Sequence, residues 1–460
     1  AERHSVTGSC SGGDLGASRF DPHARKMNHR SAETGSKGGI VSIGYASKTL
    51  AVPGARMQSV VQRLATPDRL AQVIDGNLCA LDAALDYQAK NGIRLFRISS
   101  DVIPFGSSPV NTLDWMRDFE PHLAALGRKA RRHGIRLSMH PGQYTVLNSP
   151  DADVVERAKL DLAYHAAFLD ALGMDASGKI VLHVGGAYGD KPRALERFAN
   201  AYATLPLAVR RRLVIENDDR LFTAQDVLAL SRATGAPMVF DTLHHELNRE
   251  PDAPDWRALL DEAAATWKPE DGAQKMHYAQ QAPGRRPGSH TDTIELAPFL
   301  AFHRSLAEHR TDSSFGMPDI MLEVKDKNLS AIKCILCTSE HGRFSRLERE
   351  WARYKYAVLE HDQAAYLALR ALLKDKRTWP TVPFYEIAER ALAAPVEPGS
   401  FRNAAQHVWG YVAPHATARE HAAFELLLER DDRPAAKRKL HALAEKYDQP
   451  YLLESYYFVL

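Results

Sequence analysis

The sequence predicts a closed (β/α)8 barrel, the TIM fold, followed by a smaller all-helical domain. Eight short apolar runs recur between residues 40 and 326, and the stretches between them are long enough for crossover helices. Each run turns polar toward its carboxyl end, where a TIM barrel keeps its active site. After Cys337 the strand-like runs stop and helical periodicity begins. An open doubly wound sheet is the main alternative for the first region.

The eight predicted strands are nearly continuous aliphatic runs, which is typical of parallel strands covered on both faces. They are IVSIGYA (40–46), IRLFRISS (93–100), IRLSMHPG (135–142), KIVLHVGG (179–186), RLVIENDD (212–219), PMVFDTLHH (237–245), QKMHYAQ (274–280) and DIMLEVKD (319–326). A parallel strand reaches the next one through a crossover connection, usually a helix. The spacing of the runs therefore predicts a helix after each strand.

Two regions flank the predicted barrel domain, which covers residues 39–337. Residues 1–38 are rich in Ser, Gly and charged side chains, too polar to offset the entropy lost on ordering, and are predicted to be a disordered tail. Residues 338–460 show helical periodicity and form the predicted helical domain. The segment APVEPGS (394–400) divides this domain into two helical blocks.

The composition limits the environment and the partners. The 59 basic and 57 acidic residues give a formal charge of +2, so any affinity for nucleic acid must come from local patches. No apolar run reaches the roughly 18 residues of a membrane span, and no secretory signal is recognisable. The four cysteines are too few and too scattered for a disulfide framework, which favours a reducing compartment. We therefore expect a cytoplasmic monomer without a membrane partner, associated with the nucleoid if the source is bacterial.

Imidazole and carboxylate groups stand at the carboxyl ends of consecutive predicted strands. Turn formation does not explain them, because His and Glu have no special turn propensity. The candidate metal ligands are His140, His183, Glu216, Asp241, His244, His277, His290 and Glu323. A mixed imidazole and carboxylate set suits Zn, Mn or Fe. Its size predicts two or three divalent ions, with Glu216 bridging a pair.

Bound divalent ions activate water and neutralise charge on a phosphoryl oxygen, so a phosphodiester is a natural substrate for such a cluster. Barrels with paired metals also support sugar isomerases and epimerases. The residue chemistry alone leaves both reactions open.

Several strand-end motifs resemble those of the UV damage endonuclease family, in the same order along the chain. They are SMHPGQYTVLNSP, LHVGGAYGDK, VIENDD, FDTLHHE and KMHYAQQ, and the resemblance covers roughly residues 40–337. It implies a TIM barrel with three divalent ions, commonly Mn, with Zn or Mg as alternatives. It also implies incision of damaged double-stranded DNA on the 5′ side of pyrimidine dimers and 6-4 photoproducts, which leaves a 3′-hydroxyl and a 5′-phosphate.

The resemblance also assigns the ligands to separate ions. It implies one ion on His140, His183 and Glu216. It implies a second ion on Glu216, Asp241, His277 and Glu323. It implies that His244 and His290 hold the third, and that Lys275 lies beside the ions, where it can be carboxylated.

The resemblance further assigns residues that contact the lesion. Gln143 and Tyr144 would probe the duplex, because an amide and an aromatic ring on a loop can wedge into kinked DNA. Tyr45 would pack against the flipped dimer. Ser108 stands where the family commonly has a catalytic histidine, and a serine cannot supply a positive charge. We therefore expect Glu216, Lys275 and Ser108 to be the catalytic positions.

The C-terminal region resembles the YbgA-type helical domain of unknown function. The similar motifs are REWARYKYAVLEHD, NAAQHVWGY and QPYLLESYY. For the whole chain, the alternatives to a photolesion endonuclease are a broader apurinic-site endonuclease, a metal-dependent sugar isomerase or epimerase, and a DNA-binding scaffold without activity.

Overall fold

The computed structural model describes residues 42–339 and 342–460. The predicted tail, residues 1–38, lies outside these ranges. None of the helices within them has the length and apolar character needed to cross a membrane.

Eight parallel strands form one sheet that closes on itself, because each strand pairs with the next and the first pairs with the last. The strands are β1 (Ile43–Ser47), β2 (Leu95–Ile98), β3 (Arg136–Met139), β4 (Lys179–His183), β5 (Leu213–Glu216), β6 (Met238–Asp241), β7 (Lys275–Tyr278) and β8 (Asp319–Leu322). The predicted TIM barrel is thus confirmed, and the open sheet is excluded by the pairing of Ile43 with Ile320.

Helices connect the strands and cover the outside of the barrel. They are α1 (Pro67–Asn91), α2 (Trp115–Asp118), α3 (Glu120–Arg132), α4 (Ala152–Ala171), α5 (Lys191–Ala203), α6 (Leu207–Arg210), α7 (Ala224–Thr234), α8 (Thr242–Asn248), α9 (Trp256–Ala264), α10 (Leu296–Asp312) and α11 (Asn328–Thr338). Local sequence sets their ends. For example, α1 begins at Pro67 behind the Thr66 cap and ends at Gly92, which takes the left-handed conformation that closes many helices.

The remaining described residues are helical, as predicted. The helices are α12 (Phe344–His361), α13 (Gln363–Leu372), α14 (Thr381–Leu392), α15 (Pro398–Val412), α16 (Ala418–Glu429), α17 (Arg433–Lys446) and α18 (Pro450–Leu453). Buried residues of α12 to α14 belong to the same hydrophobic cluster as the barrel, whereas α15 to α18 build a second cluster against Tyr356 and Leu359. The break between these helical blocks falls at 393–397 and overlaps the predicted interruption at 394–400. A domain boundary at residue 337 stays a prediction.

Buried cations close the amino-terminal end of the barrel. Arg212, which directly precedes β5 and is fully buried, donates to Asp170 and to the backbone carbonyls of Met174, Asp175 and Gly178. Lys179, Arg136, Asp271 and Asp319 form similar pairs nearby. This end of the barrel is held mainly by the charge pairs of Arg212, Lys179 and Arg136.

Candidate metal centre

The topology of the barrel brings the predicted ligands to one rim. In a closed parallel barrel all strands finish at the same end. His183, Glu216 and Asp241 are the last residues of β4, β5 and β6. The strand register pairs His183 with Glu216, and Asp241 with His277 of β7. His140 and Glu323 directly follow β3 and β8.

The carboxylate of Glu216 is the centre of the cluster. One oxygen, Oε2, lies 3.2 Å from His140 Nε2 and 3.4 Å from His183 Nε2. The other, Oε1, lies 2.6 Å from His277 Nδ1 and 3.9 Å from His244 Nδ1. Only 1% of the Glu216 side chain is exposed, so water has little access to these contacts.

Glu323 forms the other side of the cluster. Its Oε1 lies 3.3 Å from His277 Nδ1 and accepts a hydrogen bond from Arg97 Nη1 at 2.5 Å. His290 is more distant, with its Nε2 3.8 Å from Glu323 Oε2. Asp241 Oδ2 lies 4.0 Å from His277 Nδ1 and completes this side.

At this rim, three sets of ligand atoms lie close enough together to hold a metal ion, with all atoms of a set within 4.8 Å of one another, and Glu216 belongs to all three. The sets are His140, His183 and Glu216, then Glu216, Asp241 and His244, then Glu216, His277 and Glu323. The first equals the expected first ion site. His244 falls in with Glu216 and Asp241, and within the described residues no such set joins it to His290. The expected pairing of His244 with His290 stays a prediction.

Hydrogen bonds orient two of the imidazoles toward the centre. His140 Nδ1 lies 3.0 Å from the carbonyl of Pro141, and His244 Nδ1 lies 2.9 Å from the carbonyl of Asn217. A carbonyl can only accept, so each Nδ1 carries a hydrogen, and in the neutral ring Nε2 keeps its lone pair. In His140 that lone pair faces the Glu216 carboxylate, an arrangement that requires a proton or a cation between them.

Several polar atoms of the cluster are buried without a partner among the described residues. They are Asp241 Oδ2, His183 Nδ1 and His277 Nε2. A buried polar group without a hydrogen bond costs about 1–3 kcal/mol, so three of them at one site need an explanation. Electron-pair donors of this kind are what divalent ions such as Mn and Zn bind. The donor set fits bound cations.

The electrostatics of the site separate its two central acids. Burial raises the pKa of Glu216, but the neighbouring His277, His183 and His140 outweigh burial and bring it well below the usual value. Burial raises the pKa of Asp241 above its ordinary value. Burial lowers the pKa of His244, but Asp241, Glu216 and a further acid outweigh it and raise the pKa to about 9.

Lys275 lies at the start of β7, two residues before His277, and is fully buried. Its Nζ has no hydrogen-bond partner in the described part of the chain. Burial, followed by the nearby Arg136, brings the pKa of this amine well below its usual value, although Asp319 acts in the opposite direction.

The predicted probing residues lie on the loop between β3 and α4, residues 140–151, which we name the probe loop. Gln143 and Tyr144 are exposed at its tip, and Tyr144 exposes 82% of its surface. A tyrosine held out in water in this way is available for stacking. Ser108 lies in the loop after β2, where its Oγ accepts from the Val110 N–H at 3.3 Å, and it belongs to none of the three ligand sets.

Tyr45 is not placed for the expected contact with a flipped base. Its side chain has 0% exposure and packs against Phe96, with ring centroids 5.2 Å apart. Its hydroxyl lies 2.7 Å from Thr49 Oγ1 and accepts from Gln88 at 3.1 Å. The structure thus gives Tyr45 a role in the core, and its contact with the lesion stays a prediction.

Sequence reasoning missed two residues that shape the centre. Arg97 lies in β2 and holds Glu323. Asn217, directly after β5, binds the backbone of Asp241 through both atoms of its amide, at 2.9 and 3.1 Å. A charged side chain within an apolar strand needs a buried partner, so Arg97 could have been identified. Asn217 carries no comparable signal.

Comparison with known proteins places the two regions of the chain separately. A family model described as UV-endonuclease UvdE matches residues 41–349, and a model described as a protein of unknown function (DUF1722) matches residues 355–460. A UV DNA damage endonuclease of Clostridium perfringens is 34% identical over 421 residues, which cover 91% of this chain and 99% of the relative. One from Bacillus pumilus is 30% identical over 268 residues, covering 58% of this chain and 82% of the relative.

A solved structure is also similar. The crystal structure of SacUVDE superimposes with a TM-score of 0.59 at 35% sequence identity, covering 64% of this chain and 97% of the other. The shared part has about the size of the barrel region.

Proposed function

The chain belongs to the UV-endonuclease UvdE family, and we propose that it hydrolyses the phosphodiester on the 5′ side of UV photolesions in double-stranded DNA with the help of divalent cations. The products would be a 3′-hydroxyl and a 5′-phosphate. The observation that carries this proposal is the convergence of three ligand sets on the buried carboxylate of Glu216. A cluster of imidazoles and carboxylates at the active end of a TIM barrel supports phosphoryl transfer.

We assign two or three cations to the site, with Mn preferred and Zn or Mg as alternatives. His140 and His183 would hold one with Glu216. His277 and Glu323 would hold a second with the same carboxylate. His244 and Asp241 would hold the third, and His290 would support it from the far side of Glu323. When bound, such ions supply an activated water and neutralise negative charge on the scissile phosphate.

The residues of the chain prepare the site for this reaction. The carboxylate of Glu216 gathers four imidazoles around it, those of His140, His183, His244 and His277. Arg97 keeps Glu323 ionised, because a guanidinium within hydrogen-bond distance favours the charged carboxylate. The carbonyls of Pro141 and Asn217 fix the rings of two histidines, so that little reorganisation remains when substrate binds.

We propose that the probe loop recognises the lesion. Gln143 and Tyr144 would enter the duplex from the side of His140 and fill the space left by the extruded dinucleotide. A fused dimer stacks and pairs poorly, and extruding it costs less than extruding normal bases. Ser108 would contact a phosphate oxygen by a neutral hydrogen bond in place of a cationic one.

Lys275 would carry a carboxylate formed with carbon dioxide. Its pKa direction leaves a neutral amine, which is the reactive form. The added negative charge would lie near Arg136 and Arg97. These two cations lower the pKa of the unmodified amine and would be attracted to the carboxylate. Labelling with 13C-enriched carbon dioxide tests this: we expect a carbamate carbon signal in the NMR spectrum of the protein and none in Lys275→Met.

The proposed activity is tested on three duplexes that differ at one place: a single pyrimidine dimer, an abasic site, and no damage. With Mn we expect a nick on the 5′ side of the dimer, with a 3′ end that a polymerase extends. Chelation should abolish it. Glu216→Gln, which keeps the shape and removes the charge, should slow cutting by roughly a thousandfold, whereas Glu196→Gln on the exposed face of α5 should cut normally.

Two outcomes contradict the proposal. An intact dimer duplex at all Mn concentrations would remove the activity. Equal cutting of the abasic and dimer duplexes would instead make the protein a broader apurinic-site endonuclease.

A further inference from the structure

The probe loop is held on both sides of its exposed tip through side chains of α4 that take no part in the ligand sets. From this arrangement we propose that Asp161 and His165 are positioning residues, which fix the exposed tip of the loop for entry into damaged DNA. The inference rests on the proposed function and adds to it the residues that make the probe rigid.

The first anchor lies at the start of the loop. Ser100, just after β2, donates from its Oγ to the backbone carbonyl of His140 at 2.9 Å. His165 Nδ1 donates to the backbone carbonyl of Asp161 at 2.7 Å, so its Nε2, 2.9 Å from the same Oγ, shares the single hydroxyl hydrogen of Ser100 with the His140 carbonyl. Tyr164 donates from its hydroxyl to the carbonyl of Ser100 at 2.8 Å. The position of the His140 backbone is thus set from α4 through Ser100.

The second anchor lies directly beyond the tip. Thr145 follows Tyr144 and donates from its hydroxyl to Asp161 Oδ2 at 2.6 Å. The other oxygen, Oδ1, accepts from the hydroxyl of Ser107 at 2.8 Å. Ser107 precedes Ser108 in the loop after β2. One carboxylate therefore ties together the two loops that carry the expected lesion and phosphate contacts.

Burial and exposure divide the loop in the way a probe requires. His165 has 0% exposure, and Thr145 has 7%. Between the anchors, residues 142–144 are all exposed. A buried imidazole that lies outside the ligand sets costs desolvation, and its hydrogen bonds to Ser100 and Asp161 offset this cost. The arrangement gives a fixed base and a free tip.

Fixation matters because a wedge must keep its place while the duplex is kinked. A displacement of about 1 Å in a positioning element can lower a rate by roughly a hundredfold. Loss of one anchor would let Tyr144 yield to the base stack, while the ligand sets, which α4 does not enter, would keep their geometry. Opening of the lesion and binding of metal should therefore respond differently to a change at Asp161.

The experiment uses the full chain and a duplex with one dimer and a 2-aminopurine opposite it, whose fluorescence rises when the bases unstack. In Asp161→Ala we expect single-turnover cutting to fall by roughly a hundredfold and the fluorescence rise to be lost. Binding of Mn, followed by electron paramagnetic resonance, should not change. Asp161→Asn keeps the shape of the side chain and one acceptor oxygen, and should recover part of both signals. Glu156→Gln, on the same helix in an exposed pair with Lys159, is the matched control.

The outcomes separate the two claims. If the wild-type protein leaves the dimer duplex intact, the proposed function fails. If the wild type cuts and Asp161→Ala cuts and unstacks the duplex equally well, the positioning role is wrong and the function stands. A loss of Mn binding in Asp161→Ala would also overturn the positioning role, since Asp161 would then support the metal centre. If Asp161→Ala does not fold, Thr145→Val decides, because it removes only the second anchor and should lose the fluorescence rise.

Discussion

The two ends of the barrel bury charge in different ways. At the amino-terminal end, Arg212 uses its guanidinium on Asp170 and on the carbonyls of Met174, Asp175 and Gly178, and none of its nitrogens is without a partner. At the carboxyl rim, acids and imidazoles crowd around one carboxylate, and three of their polar atoms have no partner among the described residues.

The difference separates charge used for stability from charge kept for function. A paired and hydrogen-bonded buried cation is costly to remove, because its partners would be left unsatisfied. Imidazoles and carboxylates without partners instead lower the free energy of unfolding until a cation binds. Such a loss of stability is common at functional sites. Buried charge alone does not identify a site, whereas several unpartnered ligand atoms gathered around one carboxylate do.

The largest effect that this comparison predicts is at the amino-terminal end. Arg212→Met keeps much of the volume but removes the guanidinium that donates to three carbonyls and leaves Asp170 with Arg211 as its donor. We expect the free energy of unfolding to fall by about 3 kcal/mol. Cutting by the folded fraction should not change. Denaturant unfolding measures the free energy. If activity fell by more than the fraction of folded protein, Arg212 would also serve function, and the separation of the two ends would be wrong.

The pH dependence of stability tests the rim. The pKa of His244 is raised to about 9 in the folded protein, from an ordinary value of 6.5. A raised histidine pKa stabilises the fold fully below the unfolded value, and this contribution is lost as the pH rises through the folded value. Without metal, we expect stability to fall by about 2 kcal/mol between pH 6.5 and pH 9. Chemical denaturation in chelator across this window should show it, and His244→Asn should flatten the curve.

Much of the fold could be predicted from sequence because the barrel depends on local patterns. Each observed strand lies inside its predicted run, except that β1 extends one residue further, to Ser47. The predicted runs are longer than the observed strands, because apolar residues continue into the loops beyond the last residue that pairs with a neighbouring strand. Closure followed from eight parallel strands, a pattern without a natural edge.

The centre could be predicted in composition but not in detail. Residues at strand ends such as His183 and Glu216 met as expected because the topology fixes their place. His244 lies on the short helix α8, and its direction depends on Asn217 rather than on a strand. The anchors of the probe loop join Ser100 to His165 and Thr145 to Asp161, contacts on which hydropathy patterning carries no information.

Arg97 sharpens the comparison because it is a largely buried cation of β2 that pairs with Glu323 at the rim. Arg97→Met should remove the partner of Glu323 and raise the pKa of that acid, since the guanidinium is the largest influence that lowers it. We expect affinity for Mn to fall by roughly 10- to 100-fold, in the range of outer ligand support. High Mn should restore cutting. Arg94→Met, exposed and three residues earlier, should behave as the wild type.

The smallest expected effect concerns Tyr144, which lies near the rim but contributes little to the fold. Because 82% of its surface is exposed, Tyr144→Ala should leave the unfolding temperature unchanged. Loss of one stacking contact should weaken binding to dimer-containing duplex by roughly tenfold, and binding to undamaged duplex much less. Tyr144→Phe keeps the ring and serves as the control. If both duplexes were bound equally weakly by Tyr144→Ala, the ring would contact the backbone and not the lesion, and recognition would have to lie with Gln143.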